Sequence, residues 1–220
     1  MSSGTIPTHN DRQARERALL AVATPQEGYF TAAQARSAGY SYSAQRYHTQ
    51  RGDWRRERRG AYYLNDYDSP IFPRHDLIIL SLLSIDRSGE PQAVVSHETA
   101  LAWHALSDIN PMRIHITLPP TYHKQLPEGV IISRGVVPKG EYEVHEGYRV
   151  TTPLRTLKDV TESPAVWPYL ADAVRDALRM GLVTPQQIIE SPEIQARREW
   201  LSALFERLEW QERLEQKAFA

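Results

Sequence analysis

The 220-residue chain, 41% hydrophobic and 24% charged, has the balance of a globular protein and enough length for one large domain or two small ones. It contains no cysteine, which excludes structural disulfides, thiolate zinc sites, iron–sulfur clusters and cysteine nucleophiles. The net charge of −1 exerts no overall pull on nucleic acid, yet Ser41 to Gly60 holds six arginines against two acids, a net +4 that leaves −5 over the other 200 residues. The longest apolar run, Leu77 to Leu83, is broken by Ser81 and is too short to span a bilayer. The opening MSSGTIPTHNDRQARER has no apolar stretch behind its charges, so a cytoplasmic protein without secretory signal or membrane contact is expected.

In chain order, Asp11 to Ala23 has the spacing of a helix, with Ala14, Ala18, Leu19 and Val22 along one side. Gly28 and the apolar pair Tyr29-Phe30 follow, and Thr31 is placed to cap a second helix that ends at Ala38-Gly39. Ser41 or Ser43 caps a third helix of about eight residues, which stops at Gly52. Trp54 to Leu64 then alternates as two short strands turning near Arg59-Gly60. Three helices and a basic hairpin are the layout of a winged helix-turn-helix, in which the third helix enters the major groove and the hairpin grips the backbone.

That layout assigns roles. Free N–H groups near Ser43 at the helix start suit a phosphate. Arg46, Tyr47 and Gln50 share a face, and Arg and Gln suit base edges. Arg51 closes the same helix, and Arg55, Arg56, Arg58 and Arg59 in the wing supply charge without sequence information. Trp54 and Tyr62 are expected to anchor the hairpin to the helices. The alternative is a small helical domain carrying a solvated arginine hairpin.

Asn65 to Pro73, with two prolines and nearby acids, is an expected linker, and Phe72 to Ile85 a strongly apolar helix. Beyond it, Ala93 to Val95, Arg113 to Leu118, Val130 to Ile132 and the stretch from Val144 to Val150 are expected strands. Ser96 caps a helix to Leu106, and Thr152-Pro153 opens another. From Val166 the chain is expected to be helical, punctuated by Gly181, Thr184-Pro185 and Pro192, the last preceding a long amphipathic helix with Leu201, Leu204, Phe205 and Leu208 on one stripe. The expected fold class is therefore α+β: an N-terminal winged helix-turn-helix over residues 11–68, a mixed α+β domain over 72–163, and a helical C-terminal extension over 164–220.

The string GYFTAAQARSAGYSYSAQRYHTQRGDWRRERRGAYYL resembles the N-terminal winged helix of the AbiEi antitoxin family of type IV toxin–antitoxin systems. VVSHETALAWHAL, IHITLP and GYRVTTPLRTLKDV resemble that family's second domain, in the same order and spacing, so the likeness covers about residues 15–165. The resemblance implies a repressor that binds inverted repeats in double-stranded DNA at its own promoter. It also implies a second domain that counteracts a nucleotidyltransferase-like toxin. Gln45, Thr49 and Glu57 stand where similar sequences carry apolar residues, which keeps Gln45 and Thr49 among the candidate base readers. An antitoxin working only through protein contact and a solitary regulator without a toxin are the alternatives.

No cofactor or metal is called for. His97 and His104, seven apart, share a helix face with Glu98 between them, and His115 follows on a strand, but the spacing is not the H-E-x-x-H of a zinc protease. Ser96 lacks a G-x-S-x-G elbow, no glycine-rich phosphate loop occurs, and the sequence assembles no nucleophile, base and oxyanion site, so an enzyme is not expected. Arg155 is expected to form an ion pair within the second domain, and Tyr122, His123 and Lys124 to lie in a loop.

Overall fold

The computed structural model describes residues 9–67, 75–163 and 167–197. The chain divides into two compact units, Met1–Ala93 with Val144–Tyr148, and Val94–Glu143 with Arg149–Ala220.

In the first unit, α1 (His9–Ala23) and a short 3-10 turn lead into β1 (Tyr29–Thr31), α2 (Ala32–Ser37), α3 (Tyr42–Arg51), β2 (Trp54–Arg58), β3 (Ala61–Leu64) and α4 (His75–Ser84). Local signals set these boundaries. The Thr31 hydroxyl accepts from the Gln34 N–H at 3.1 Å while the Gln34 carboxamide oxygen accepts from the Thr31 N–H at 2.7 Å, a capping box that starts α2. Ser41, not Ser43, caps α3, accepting from the Ala44 N–H at 3.2 Å; Ser43 lies one residue inside the helix and its hydroxyl meets that of Ser41 at 2.9 Å. Gly52, at φ 86°, supplies the left-handed residue that ends α3 and turns the chain into β2.

The three strands form an antiparallel sheet in the order β1-β3-β2. Residues opposite one another share a face, so Phe30, Tyr62 and Trp54 lie on one side, Tyr29 and Tyr63 on the other. The first side closes over a core of Leu19, Ala23, Ala35, Ala38 and Tyr40 from α1, α2 and the turn after it. The helix stripe of α1 differs from the expected one: Leu19 and Ala23 face inward and Ala14 and Ala18 face water. The inward row is completed by Arg15, whose alkyl stem packs over Gly39 and whose guanidinium lies 5.8 Å from the Tyr40 ring. α4, apolar around most of its girth, packs against β1 and β3.

The second unit, leaving aside Val144–Tyr148 at the β7–β8 turn, holds β4 (Val94–Val95), α5 (His97–Trp103), β5 (Ile114–Leu118), β6 (Val130–Arg134), β7 (Tyr142–His145) and β8 (Tyr148–Thr151), followed by α6 (Pro153–Val160), α7 (Trp167–Arg179), α8 (Pro185–Glu190) and α9 (Pro192–Gln195). The sheet runs β6-β5-β4-β8-β7 and is mixed: β4 is antiparallel to β5 and parallel to β8, and β5 is parallel to β6. The expected single strand from Val144 to Val150 is two strands, because Gly147 at φ 82° reverses the chain between them. Leu101, Leu157, Val160, Leu170, Val174, Ile188 and Ile194 join α5 through α9 in one apolar cluster. Thr152 and Thr184 cap α6 and α8, each followed by proline.

α9 ends at Gln195, so the expected long helix after Pro192, with its Leu201, Leu204, Phe205 and Leu208 stripe, lies outside the described residues; so does most of the Asn65 to Pro73 linker. Among the described residues no helix is long and apolar enough to cross a membrane.

Candidate DNA-binding surface

α3 has two distinct faces. Gln45, His48 and Thr49 turn inward at helical spacing, and Ser43, Arg46, Tyr47, Gln50 and Arg51 form the exposed stripe at i, i+3, i+4, i+7 and i+8. The inward face is polar in sequence but satisfied in structure. Gln45 is 3% exposed, and its amide donates to the Ala32 carbonyl at 3.2 Å and the Tyr40 carbonyl at 3.1 Å. It therefore staples the α2–α3 turn and is not a base reader, correcting that expectation. Thr49 is half-buried and returns its hydroxyl to the Gln45 carbonyl at 2.8 Å, which also withdraws it from the surface.

His48 joins this helix to the wing. Its ring stacks on Trp54 at 4.9 Å and 17°, and its Nδ1 meets the Asp53 carboxylate at 2.7 Å. Trp54 in turn meets Phe30 edge-on at 4.9 Å and Tyr40 at 5.0 Å, so it does anchor the hairpin to the helices. The exposed stripe thus stands on a rigid aromatic base.

The four wing arginines are all exposed but do not share one face. Arg56 lies opposite Tyr62, on the helix side of the sheet, whereas Arg55 lies opposite Tyr63, on the other side. A bulge at Glu57 shifts the register so that Arg58 opposes Ala61, and Arg59 stands in the turn with Gly60 at φ 87°. Arg55 is also engaged: it forms an ion pair with Glu57 and its guanidinium lies 4.9 Å from the Tyr63 ring centre. Arg51 is paired with Asp53 at 3.3 Å and donates to the Tyr47 hydroxyl at 3.3 Å. Among the described residues Arg46, Arg56, Arg58 and Arg59 have no carboxylate within ion-pair distance, so they are the groups open to phosphate.

Two residues absent from the expected set extend this surface. Tyr42, 68% exposed on the first turn of α3, accepts a hydrogen bond from Arg36 at the end of α2, whose guanidinium lies 4.9 Å from its ring. An exposed aromatic beside a helix cap, with an arginine six positions earlier, was the available signal.

The structure does not bring His97, His104 and His115 together at one point. His104 Nε2 meets the Thr151 carbonyl at 2.7 Å, while His97 and His115 stack face to face at 3.9 Å. No group of three or more His, Asp or Glu among the described residues is arranged to hold an ion. The Ser96 hydroxyl makes no helix-cap bond and meets His97 Nδ1 at 2.9 Å instead. Arg155 pairs with Glu141 and with Asp159 at 2.7 Å, all inside the second unit. In the loop after β5, Tyr122 is buried while His123 and Lys124 are exposed.

A helix with an outward polar stripe, followed by an arginine hairpin on an aromatic base, defines a winged helix-turn-helix, here joined to a separate α+β unit. Two family models cover the chain: one for a transcriptional regulator, AbiEi antitoxin, over residues 17–65, and one for the AbiEi antitoxin C-terminal domain over residues 93–209. The chain belongs to the AbiEi antitoxin family. Among solved structures it is similar in fold to the RV2827C protein from Mycobacterium tuberculosis, with a TM-score of 0.51 and 16% identity over 87% of this chain and 77% of that one. Curated protein sequences give no match.

Proposed function

We propose that the protein is a cytoplasmic repressor that binds double-stranded DNA at inverted repeats in its own promoter, and that it counteracts a nucleotidyltransferase-like toxin. Residues 11–68 are the DNA-binding domain, and the α+β unit that begins at β4, with α6 to α9 packed into its core, is the antitoxin domain. The observation that carries the DNA-binding half is the exposed stripe of α3 with the unpaired arginines Arg46, Arg56, Arg58 and Arg59 around it. Ser43, Tyr47 and Gln50 complete the helix contact, Arg51 reaches phosphate from the helix end, and Arg55 contributes less because Glu57 holds it. Repression then follows from occupancy and calls on no catalytic group. The toxin half is supported by the family's second domain, matched over residues 93–209.

Binding to the DNA upstream of its own reading frame, measured by anisotropy across salt concentrations, tests the reading. Replacing Arg46, Arg56, Arg58 and Arg59 with alanine lowers affinity ~100-fold at moderate salt and flattens the salt slope by roughly 0.9 per lost phosphate contact. Gln50→Ala instead changes preference among operator variants by about 1–3 kcal/mol at one base pair. A slope unchanged by the four substitutions overturns the assignment. Growth rescue on co-expression with an adjacent nucleotidyltransferase-like reading frame tests the toxin half separately.

A further inference from the structure

The second unit holds a closed set of polar side chains that DNA binding does not use. α5 begins with Ser96, His97 and Glu98, β5 carries His115 and Thr117, and the edge strand β6 carries Ser133. Because Thr117 lies opposite Ser133 in the parallel pair, His115, Thr117 and Ser133 share one face of the sheet. His115 Nε2 is 2.8 Å from the Ser133 hydroxyl, and His115 Nδ1 is 2.6 Å from the Glu98 carboxylate. The other Glu98 oxygen accepts from Ser163 at 3.3 Å. His97 stacks on His115, with its Nε2 3.4 Å from the same Ser133 hydroxyl and its Nδ1 2.9 Å from Ser96, which accepts from Thr117 at 2.8 Å.

These partners set the tautomers that neutral rings adopt here. A carboxylate only accepts, so His115 Nδ1 carries a hydrogen, and in the neutral ring Nε2 is then the acceptor for the Ser133 O–H. The Ser133 oxygen is then left to accept from His97 Nε2–H, which leaves His97 Nδ1 bare for the Ser96 O–H. The environment agrees: burial pulls His97 down to about 4, so it is neutral at pH 7, and the hydrogen bond from His115 holds Glu98 down at about 2, as a carboxylate. His97 adopts φ 51°, a conformation that residues with side chains rarely take, so the chain here is held in an unusual shape that presents both rings to one hydroxyl.

We propose that Ser133 is a nucleophile that takes the acyl group of a carboxylic ester, with His115 as its general base and Glu98 and His97 as positioning residues. The Ser133 oxygen attacks the ester carbonyl while its proton passes to His115 Nε2. The carbon–alkoxy bond breaks, the alcohol leaves with that proton, and an acyl-serine remains. Water then attacks the acyl carbon, giving one proton to His115; the bond from that carbon to the Ser133 oxygen breaks, His115 returns the proton to Ser133, and the acyl group leaves as a carboxylic acid. A neutral ester suits this site better than a phosphate. Arg134, next in the chain, is turned to the Tyr122 carbonyl at 2.8 Å, and the Glu98 carboxylate behind His115 works against an anion.

The test uses the full chain with a fluorophosphonate probe and p-nitrophenyl acetate. Native protein is labelled at Ser133, located by peptide mass spectrometry, with the rate recorded across pH. Ser133→Ala abolishes the label, His115→Gln slows it ~100-fold or more, and Glu98→Gln slows it less while shifting the pH profile. Labelling no greater than that of urea-unfolded protein, labelling at other serines only, or an equal rate in folded His115→Gln overturns the proposal. Should His115→Gln fail to fold, native against unfolded protein and Ser133→Ala of unchanged Tm decide it.

Discussion

The two polar regions of this protein use the same kinds of side chain in opposite ways. The outward stripe of α3 and the wing present arginines, a glutamine and hydroxyls to water, where each contact is weak, screened by salt and adds to its neighbours. The network around Ser133 buries two histidines and satisfies each ring nitrogen with a defined partner, so its parts act as a unit. Position decides which role a residue takes: Gln45 and Gln50 lie on one helix, yet Gln45 is a buried staple and Gln50 an exposed contact. A surface of the first kind is tuned by ionic strength, a site of the second kind by pH.

The contrast breaks most severely where the exposed stripe loses its base. Trp54→Ala removes the ring that His48, Phe30 and Tyr40 all contact, and should destabilise the first unit by about 3–5 kcal/mol. Thermal unfolding followed by circular dichroism measures this, and DNA binding should be lost with it although no exposed residue changes. A smaller effect is expected of Gln45→Leu, which keeps volume but strands the Tyr40 carbonyl: about 1–3 kcal/mol of stability, with the salt slope of the folded fraction unaltered. A Gln45→Leu protein of normal stability but weakened base preference would return Gln45 to the DNA surface.

Those two substitutions also mark how far the sequence could be read. Thr31, Gly52, Thr152-Pro153 and Thr184-Pro185 are local signals, complete within a few residues, and each stands at the helix end it announced, while of the two serines offered for α3 it is Ser41 that caps it. The arginine hairpin was legible for the same reason. The inward face of α3 was not, because Gln45 and His48 do by hydrogen bonding and stacking what apolar residues usually do by burial alone. Arg15 hid the α1 stripe similarly, through its alkyl stem. Ser133 had no local signal at all: its partner His115 is 18 residues away and Glu98 a further 17, and only the parallel pairing of β5 with β6 brings them together.

His97 gives the buried network its dependence on pH. Its folded value lies near 4 against an ordinary 6.5, so between those pH values the unfolded chain binds more protons than the folded one. Stability of the second unit should therefore fall as pH drops from 6.5 to 4, with a slope approaching one proton, and then continue to fall from 4.5 to 2 as Glu98 loses its charge. Denaturant titrations at stepped pH measure the slope. His97→Gln should remove most of the upper step and leave the lower one, whereas an unchanged upper step would place the titrating group elsewhere.

The smallest effect is expected at Glu57, where the wing carries its own brake. The ion pair with Arg55 is exposed on the arginine side, so Glu57→Gln should alter stability by less than about 1 kcal/mol. Its consequence for DNA is more informative. The substitution removes one negative charge from the hairpin and releases Arg55, but Arg55 lies on the face of the sheet away from Trp54 and Tyr62. If only the helix-side face meets the duplex, affinity should rise no more than a few-fold and the salt slope should steepen by less than the roughly 0.9 of a full phosphate contact. A full unit of added slope would instead show that the backbone wraps both faces of the wing, making Glu57 a residue that holds the protein's grip on DNA in check.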